Sequence, residues 1–251
     1  MTGFAHVQDS RLQGHLFSTV AMKEVFSDTA TLRYWLEVES ALARVQAVLE
    51  LIPEAAADAI CAACTADKYD LEGLGAQIKA ASHPLTPIIA AVESNCGSYG
   101  QYVHFGATTQ DILDSGLMLQ VRAGLNLLIK AHQQLLQACV LQAKTWRDLP
   151  MAGRTHGQHG VPVTLGLKFA LLASEINRHL DRLRELIAML PVQFAGAAGT
   201  LATLGADGAR VRAGLAKTLR LVDPKHSWHT GRDLIAHITS QLAISAATCG
   251  K

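Results

Sequence analysis

The residues best suited to chemistry lie in two short segments, His104-Phe105-Gly106-Ala107-Thr108-Thr109-Gln110-Asp111 and Arg154-Thr155-His156-Gly157-Gln158-His159. Each is a polar, glycine-broken corner that leads into a long apolar-periodic helix. The first runs into Ile112, Leu113, Leu117, Leu119, Val121, Leu125 and Leu128. The second passes Pro162 into Leu165, Phe169, Leu172, Ile176, Leu180, Leu183 and Ile187. A helix N-terminus presents free backbone N–H groups and positive potential, so it can hold an anion. One corner carries hydroxyls and the other imidazoles. That pairing fits an active site for a carboxylate.

Taking a proton from a carbon beside a carboxylate builds an enediolate-like dianion. Such a species needs fixed donors aimed at it and an acid for the departing atom. Thr108, Thr109 and Gln110 supply donors, and His156 supplies the proton carrier. His83, His104 and His156 all sit at breaks between helices, beside Pro, Gly or hydroxyl residues, rather than inside apolar faces. His15, His132, His179 and His237 fall at polar positions of helices and are expected at the surface or the edge of the core.

Competing chemistries are weaker. Cys61-Ala62-Ala63-Cys64 has redox or zinc spacing but lies in an Ala-rich helical stretch with no second pair, which reads as small buried residues. His156 and His159 could be half of a metal site, yet 151–174 contains no acidic residue to complete it. No phosphate loop and no Gly-x-Ser-x-Gly elbow occurs. No metal and no cofactor is expected.

The elements that must position these residues are helical. The 251 residues are 49% hydrophobic, rich in Ala and Leu and poor in aromatics, as long packed helices require. With 22 basic and 21 acidic residues and no basic run, a nucleic-acid face is not expected. The start of the chain shows no signal-peptide core, and no uncharged apolar stretch of about 18 residues marks a membrane span. A soluble cytoplasmic protein is the expectation. Ser27 and Asp28 cap a helix over 28–49, and further helices are expected over 54–65, 71–81, 88–93, 109–146, 162–190, 207–221 and 230–250. Two domains follow, a helical one over 1–108 and a long-helix bundle over 109–251. No strand shows convincing alternation. The last helix is still in pattern at 244–248, so either the protein ends there, with Gly250 as a cap, or the bundle is incomplete at its C-terminal end.

These motifs resemble the fumarase/aspartase superfamily, in its adenylosuccinate lyase and 3-carboxy-cis,cis-muconate cycloisomerase branch. The likeness extends through 22–28, Trp35-Leu36-Glu37-Val38-Glu39-Ser40-Ala41-Leu42-Ala43, the signatures 104–114 and 153–166, the link 196–200, and Trp228-His229-Thr230-Gly231-Arg232-Asp233. The resemblance implies an all-α fold and a homotetramer whose active sites draw their signatures from three subunits. It implies that His156 protonates the leaving group, with His104 a second catalytic histidine and His83 lining the pocket. Thr108, Thr109 and Gln110 would hold a substrate carboxylate, with Thr155, Gln158 and Arg232 as further contacts. The general base it implies, a serine on a Ser-Ser…Met-Pro…Lys…Asn loop, has no counterpart in these residues.

Departures bear on the substrate. Leu16-Phe17 stands where adenylosuccinate lyases carry an Arg-Tyr pair for the nucleotide phosphate, which argues against a purine nucleotide. The 228–233 segment resembles cycloisomerases, whereas His156 is the lyase-like residue where some cycloisomerases have Trp. The implied activity is therefore metal-free lactonisation of a polycarboxylate, as by a 3-carboxy-cis,cis-muconate cycloisomerase. The alternatives are a C–N lyase releasing fumarate and a non-catalytic truncated helical oligomer.

Overall fold

A computed structural model describes residues 6–251. The chain forms two compact units, each discontinuous in sequence: residues up to 124 with 189–232, and 125–188 with 233–251.

In the first unit, α1 (Val20–Val25) leads into α2 (Asp28–Val48), which with α3 (Glu54–Ala63), α4 (Leu71–Ala81), α5 (Thr86–Asn95) and α8 (Gly208–Leu219) surrounds one core. Its local signals are those of the sequence. The Ser27 hydroxyl accepts from the Ala30 N–H at 3.2 Å, and the Asp70 carboxylate accepts from the Glu72 and Gly73 N–H groups. Ser82 ends α4 in the left-handed region, and Pro87 fills the first turn of α5. The apolar stripe of α2 (Leu32, Leu36, Leu42, Val45) packs with Ile60, Ile88, Val92, Val211 and Leu215. The short helix α1 was not anticipated; the Thr19 hydroxyl caps it.

The long helix α6 (Thr109–Thr145) belongs to the first unit up to Gly124 and to the second from Leu125. An 18-residue window within it has mean hydropathy 1.3, enough to cross a membrane by length and composition. Half of that window is buried inside the protein, the mark of a core helix. The second unit holds the rest of α6, the strands β1 (Pro150–Thr155) and β2 (Gln158–Thr164), α7 (Leu165–Met189) and α9 (Asp233–Cys249).

The hairpin corrects the expectation of a corner running straight into a helix at 162. β1 and β2 pair antiparallel from Pro150↔Thr164 to Thr155↔Gln158, with an irregularity at Gly153. Its two-residue turn is His156-Gly157, with φ of 48° and 74°, the left-handed pair of a type I′ turn. Most of both strands stays wet on both faces, so no hydrophobic alternation exists to be read. Pro162 is tolerated because a two-stranded ribbon has only edge strands. Helix α7 starts after it, where the Thr164 hydroxyl accepts from the Leu167 N–H at 3.1 Å.

Leu215 is fully buried where α8 meets α2. Leu215→Ala is expected to cost about 2–5 kcal/mol of stability, read as a lower urea midpoint by circular dichroism. A loss below about 1 kcal/mol would contradict this packing.

Candidate functional site

The first signature is built around Asp111, whose carboxylate is completely buried. It stands in the first turn of α6 and accepts back from the Thr108 N–H at 3.0 Å, the return half of a capping box. The same carboxylate accepts from the Ala195 N–H at 3.0 Å, the Gly196 N–H at 2.9 Å and the Gln193 amide at 3.2 Å. His229 Nε2 lies 2.9 Å from it. One side chain thus joins the tip of α6, the small-residue link and the loop after Pro224. One helical turn on, the Ser115 hydroxyl donates to the Gln193 carbonyl and accepts from the Gln193 N–H, at 2.8 and 2.9 Å.

Around that anchor the structure gathers several of the expected site residues. His83 Nδ1 accepts from the Thr86 N–H at 3.0 Å and the Leu85 N–H at 3.3 Å. In the neutral ring the proton therefore sits on Nε2, which lies 3.4 Å from the Thr109 hydroxyl. His104 has φ 59° and Gly106 φ 74°, so the loop turns twice through the left-handed region before α6. A Cβ at Gly106 would meet the Leu204 side chain at 2.7 Å, so glycine also permits the close approach. His104 Nδ1 meets the buried Glu39 at 2.5 Å. Burial of the ring works against its charge, but the hydrogen bond and field of Glu39, with Asp111 and Glu93 beyond, outweigh it and raise the His104 pKa. Thr108, Thr109 and Gln110 are half-buried at the helix tip.

Arg232 is clamped on Asp114 by two hydrogen bonds of 2.8 and 3.0 Å, with its guanidinium 5.6 Å from the Trp228 ring. Trp228 is fixed in turn by its indole N–H on the Val192 carbonyl and its backbone N–H on Gln193. The Arg232 side chain nevertheless remains partly exposed.

The second signature is differently built. Thr155, His156, Gln158 and His159 lie at the exposed tip of the hairpin, not at a helix N-terminus as expected. The cavities of about 500 Å³ between α2 and α8 and about 710 Å³ in the second unit are lined by none of the expected site residues. His132 and His179 are also corrected. They are buried, with His132 bonded to the Ser245 hydroxyl at 2.8 Å and His179 to the Thr248 hydroxyl at 2.7 Å. Their polar partners arrive from α9, which no local pattern discloses. Cys61 and Cys64 carry no metal cluster among the described residues; burial, then the charge of Glu39, pushes the Cys64 thiol far up.

Sequence reading missed Glu39, Gln193, Ser115, His229 and the central place of Asp111. One signal existed: Asp111, Asp114 and Ser115 are polar at i, i+3 and i+4 on an otherwise apolar helix. For Glu39 the only hint was an acid inside the α2 stripe.

The first unit thus carries a polar helix tip with ordered imidazoles, and the second an exposed histidine turn. The chain belongs to the lyase family, within the fumarase/aspartase superfamily, and the family match covers residues 17–251. It is 42% identical over 240 residues to a 3-carboxy-cis,cis-muconate cycloisomerase of Pseudomonas aeruginosa, covering 94% of this chain and 52% of that protein. It is 34% identical to an N-acetyl-S-(2-succino)cysteine lyase of Enterococcus italicus, over 98% of this chain and 54% of that protein. Its fold is similar to the crystal structure of a 3-carboxy-cis,cis-muconate lactonizing enzyme from Pseudomonas putida, with a TM-score of 0.89 and 40% identity, covering 93% of this chain and 55% of that one. The chain spans about half the length of the curated relatives it matches.

Asp111→Ala would leave buried donors from 193–196 unpaired, and is expected to cost at least about 3 kcal/mol. Denaturant unfolding of the variant measures this. A loss under about 1 kcal/mol would show that the carboxylate does not hold the signature together.

Proposed function

We propose that the protein is a metal-free cycloisomerase of the lyase family that acts on a polycarboxylate of the 3-carboxy-cis,cis-muconate type. The observation that carries this reading is the 42% identity with the Pseudomonas aeruginosa cycloisomerase across nearly the whole chain, both signatures included. In the lactone-forming direction, a substrate carboxylate oxygen bonds to an alkene carbon. The neighbouring carbon, itself next to a carboxylate, gains the proton. The reverse is an elimination through the same dianion-like state.

Thr108, Thr109 and Gln110 bind the activating carboxylate at the tip of α6, where backbone N–H groups and hydroxyls face an anion. His83 orients the Thr109 hydroxyl, and His104 adds positive charge. His156 exchanges the proton, flanked by Thr155 and Gln158. Arg232, with its side chain partly exposed, supplies a further carboxylate contact. In the same reading 1–108 is the N-terminal helical domain and 109–251 the beginning of the long-helix domain.

An exposed hairpin tip cannot by itself exclude water, so the site is proposed to be completed between subunits of a homotetramer. Exposed apolar side chains along the second unit, Leu141, Leu149, Val161, Leu167 and Leu171 among them, support an assembly that covers them. A soluble cytoplasmic enzyme accords with this chemistry.

Light scattering on the protein at its natural length is expected to give a discrete tetramer, and a monodisperse monomer would remove the shared-site proposal. Incubation with 3-carboxy-cis,cis-muconate should consume the diene absorbance. Absence of turnover, with fumarate released from a succinyl thioether or amine instead, would favour the lyase reading that the Enterococcus italicus relative represents. His156→Asn should lower turnover by about a hundredfold or more. Its melting temperature should hardly change, because asparagine tolerates the left-handed turn position. A near-native rate would remove His156 as the proton carrier.

A further inference from the structure

Glu39 lies near the middle of α2 at 2% exposure, beside the buried Val38, Leu42 and Ala43. Its Oε1 meets His104 Nδ1 at 2.5 Å, while its Oε2 is buried without a partner. A carboxylate taken out of water costs several kcal/mol unless a cation and hydrogen bonds compensate it. Replacing such a pair by apolar residues is often neutral or stabilising, so stability alone gives α2 no reason to bury an acid here. The other partner has functional placement. His104 sits in the first signature, in left-handed backbone, with its side chain 20% exposed. Among the described residues nothing engages its Nε2, so with Nδ1 tied down Nε2 is the ring nitrogen left for a ligand.

We propose that Glu39 is a positioning residue of the site: through Nδ1 it fixes the His104 ring and favours its doubly protonated form, leaving Nε2–H as a donor for the substrate carboxylate. This deepens the function proposed above and rests on it. The ionisable groups facing the ring are Glu39 from α2, Glu93 from α5 and Asp111 from α6. All three carboxylates favour the charged form. Because the folded pKa is raised, the imidazolium and the stability it contributes are fully present below the free-histidine value of about 6.5. Both fade as pH rises through the folded value.

The test reads His104 itself. Histidine ring NMR spectra of the protein, with His104 assigned by its loss in His104→Gln, should show it titrating above the free-histidine range. In Glu39→Gln the midpoint should move to lower pH. An unmoved midpoint in a folded Glu39→Gln protein overturns the proposal. If that variant does not fold, the wild-type titration decides, and a midpoint at or below the free-histidine range overturns it. These spectra need no substrate, so an error in the assigned reaction leaves them intact. In turnover, Glu39→Gln should lower kcat on the order of tenfold or more, move the alkaline fall of kcat/KM to lower pH, and be partly rescued by Glu39→Asp. Unchanged turnover and an unmoved pH profile would reduce Glu39 to a packing residue.

Discussion

A single buried carboxylate, that of Asp111, is the interaction on which the first unit's polar architecture depends. Removing a carboxylate from water is tolerable only when donors replace the lost hydration. Here the N–H groups of Thr108, Ala195 and Gly196, the Gln193 amide and His229 do so. The requirement works in both directions. The charge needs segments far apart in sequence, and those segments need the charge to satisfy backbone N–H groups that have no other acceptor. Satisfying both fixes where α6 begins and which way the loop before it must run. The left-handed residues His104 and Gly106 are held there because the surrounding bonds over-determine them.

Two imidazoles next to that anchor are set by the same device used with opposite sign. His83 has Nδ1 occupied as an acceptor of backbone N–H groups, which puts its proton on Nε2. His104 has Nδ1 against a carboxylate, which favours the doubly protonated ring. In each case Nδ1 is tied down, for His83 by N–H groups two and three residues on and for His104 by a carboxylate from α2, and Nε2 is turned to other partners. Two rings with Nδ1 held and Nε2 available therefore stand near a helix tip that already favours anions. The second signature lacks such support. Its histidine is carried by a narrow solvated hairpin, in a left-handed turn whose surroundings within the chain are open.

Much of this was legible. The helices over 28–48, 71–81 and 109–145 follow from capping residues and apolar period, and the structure starts or stops them within a residue or two of the expected places. The two candidate segments declared themselves by polar side chains set beside glycine. What stayed hidden had no local cause. The hairpin at 150–164 has nearly no buried face, so strand alternation was absent. His132 and His179 look like surface positions on their own helices and become buried because α9 brings Ser245 and Thr248 to them. Glu39 reads as an irregularity in an apolar stripe until His104 is placed against it.

Local chemistry, then, was written in the residues themselves: helical class, the caps, the donors at 108–110 and the histidines at chain breaks all depend on neighbours within a turn or two. Tertiary structure alone decided which of those groups are buried and which partners they meet. Protonation and orientation depend on what faces a side chain across the fold. For Asp111 and His104 the deciding partners at 193–196 and 39 lie dozens of residues away.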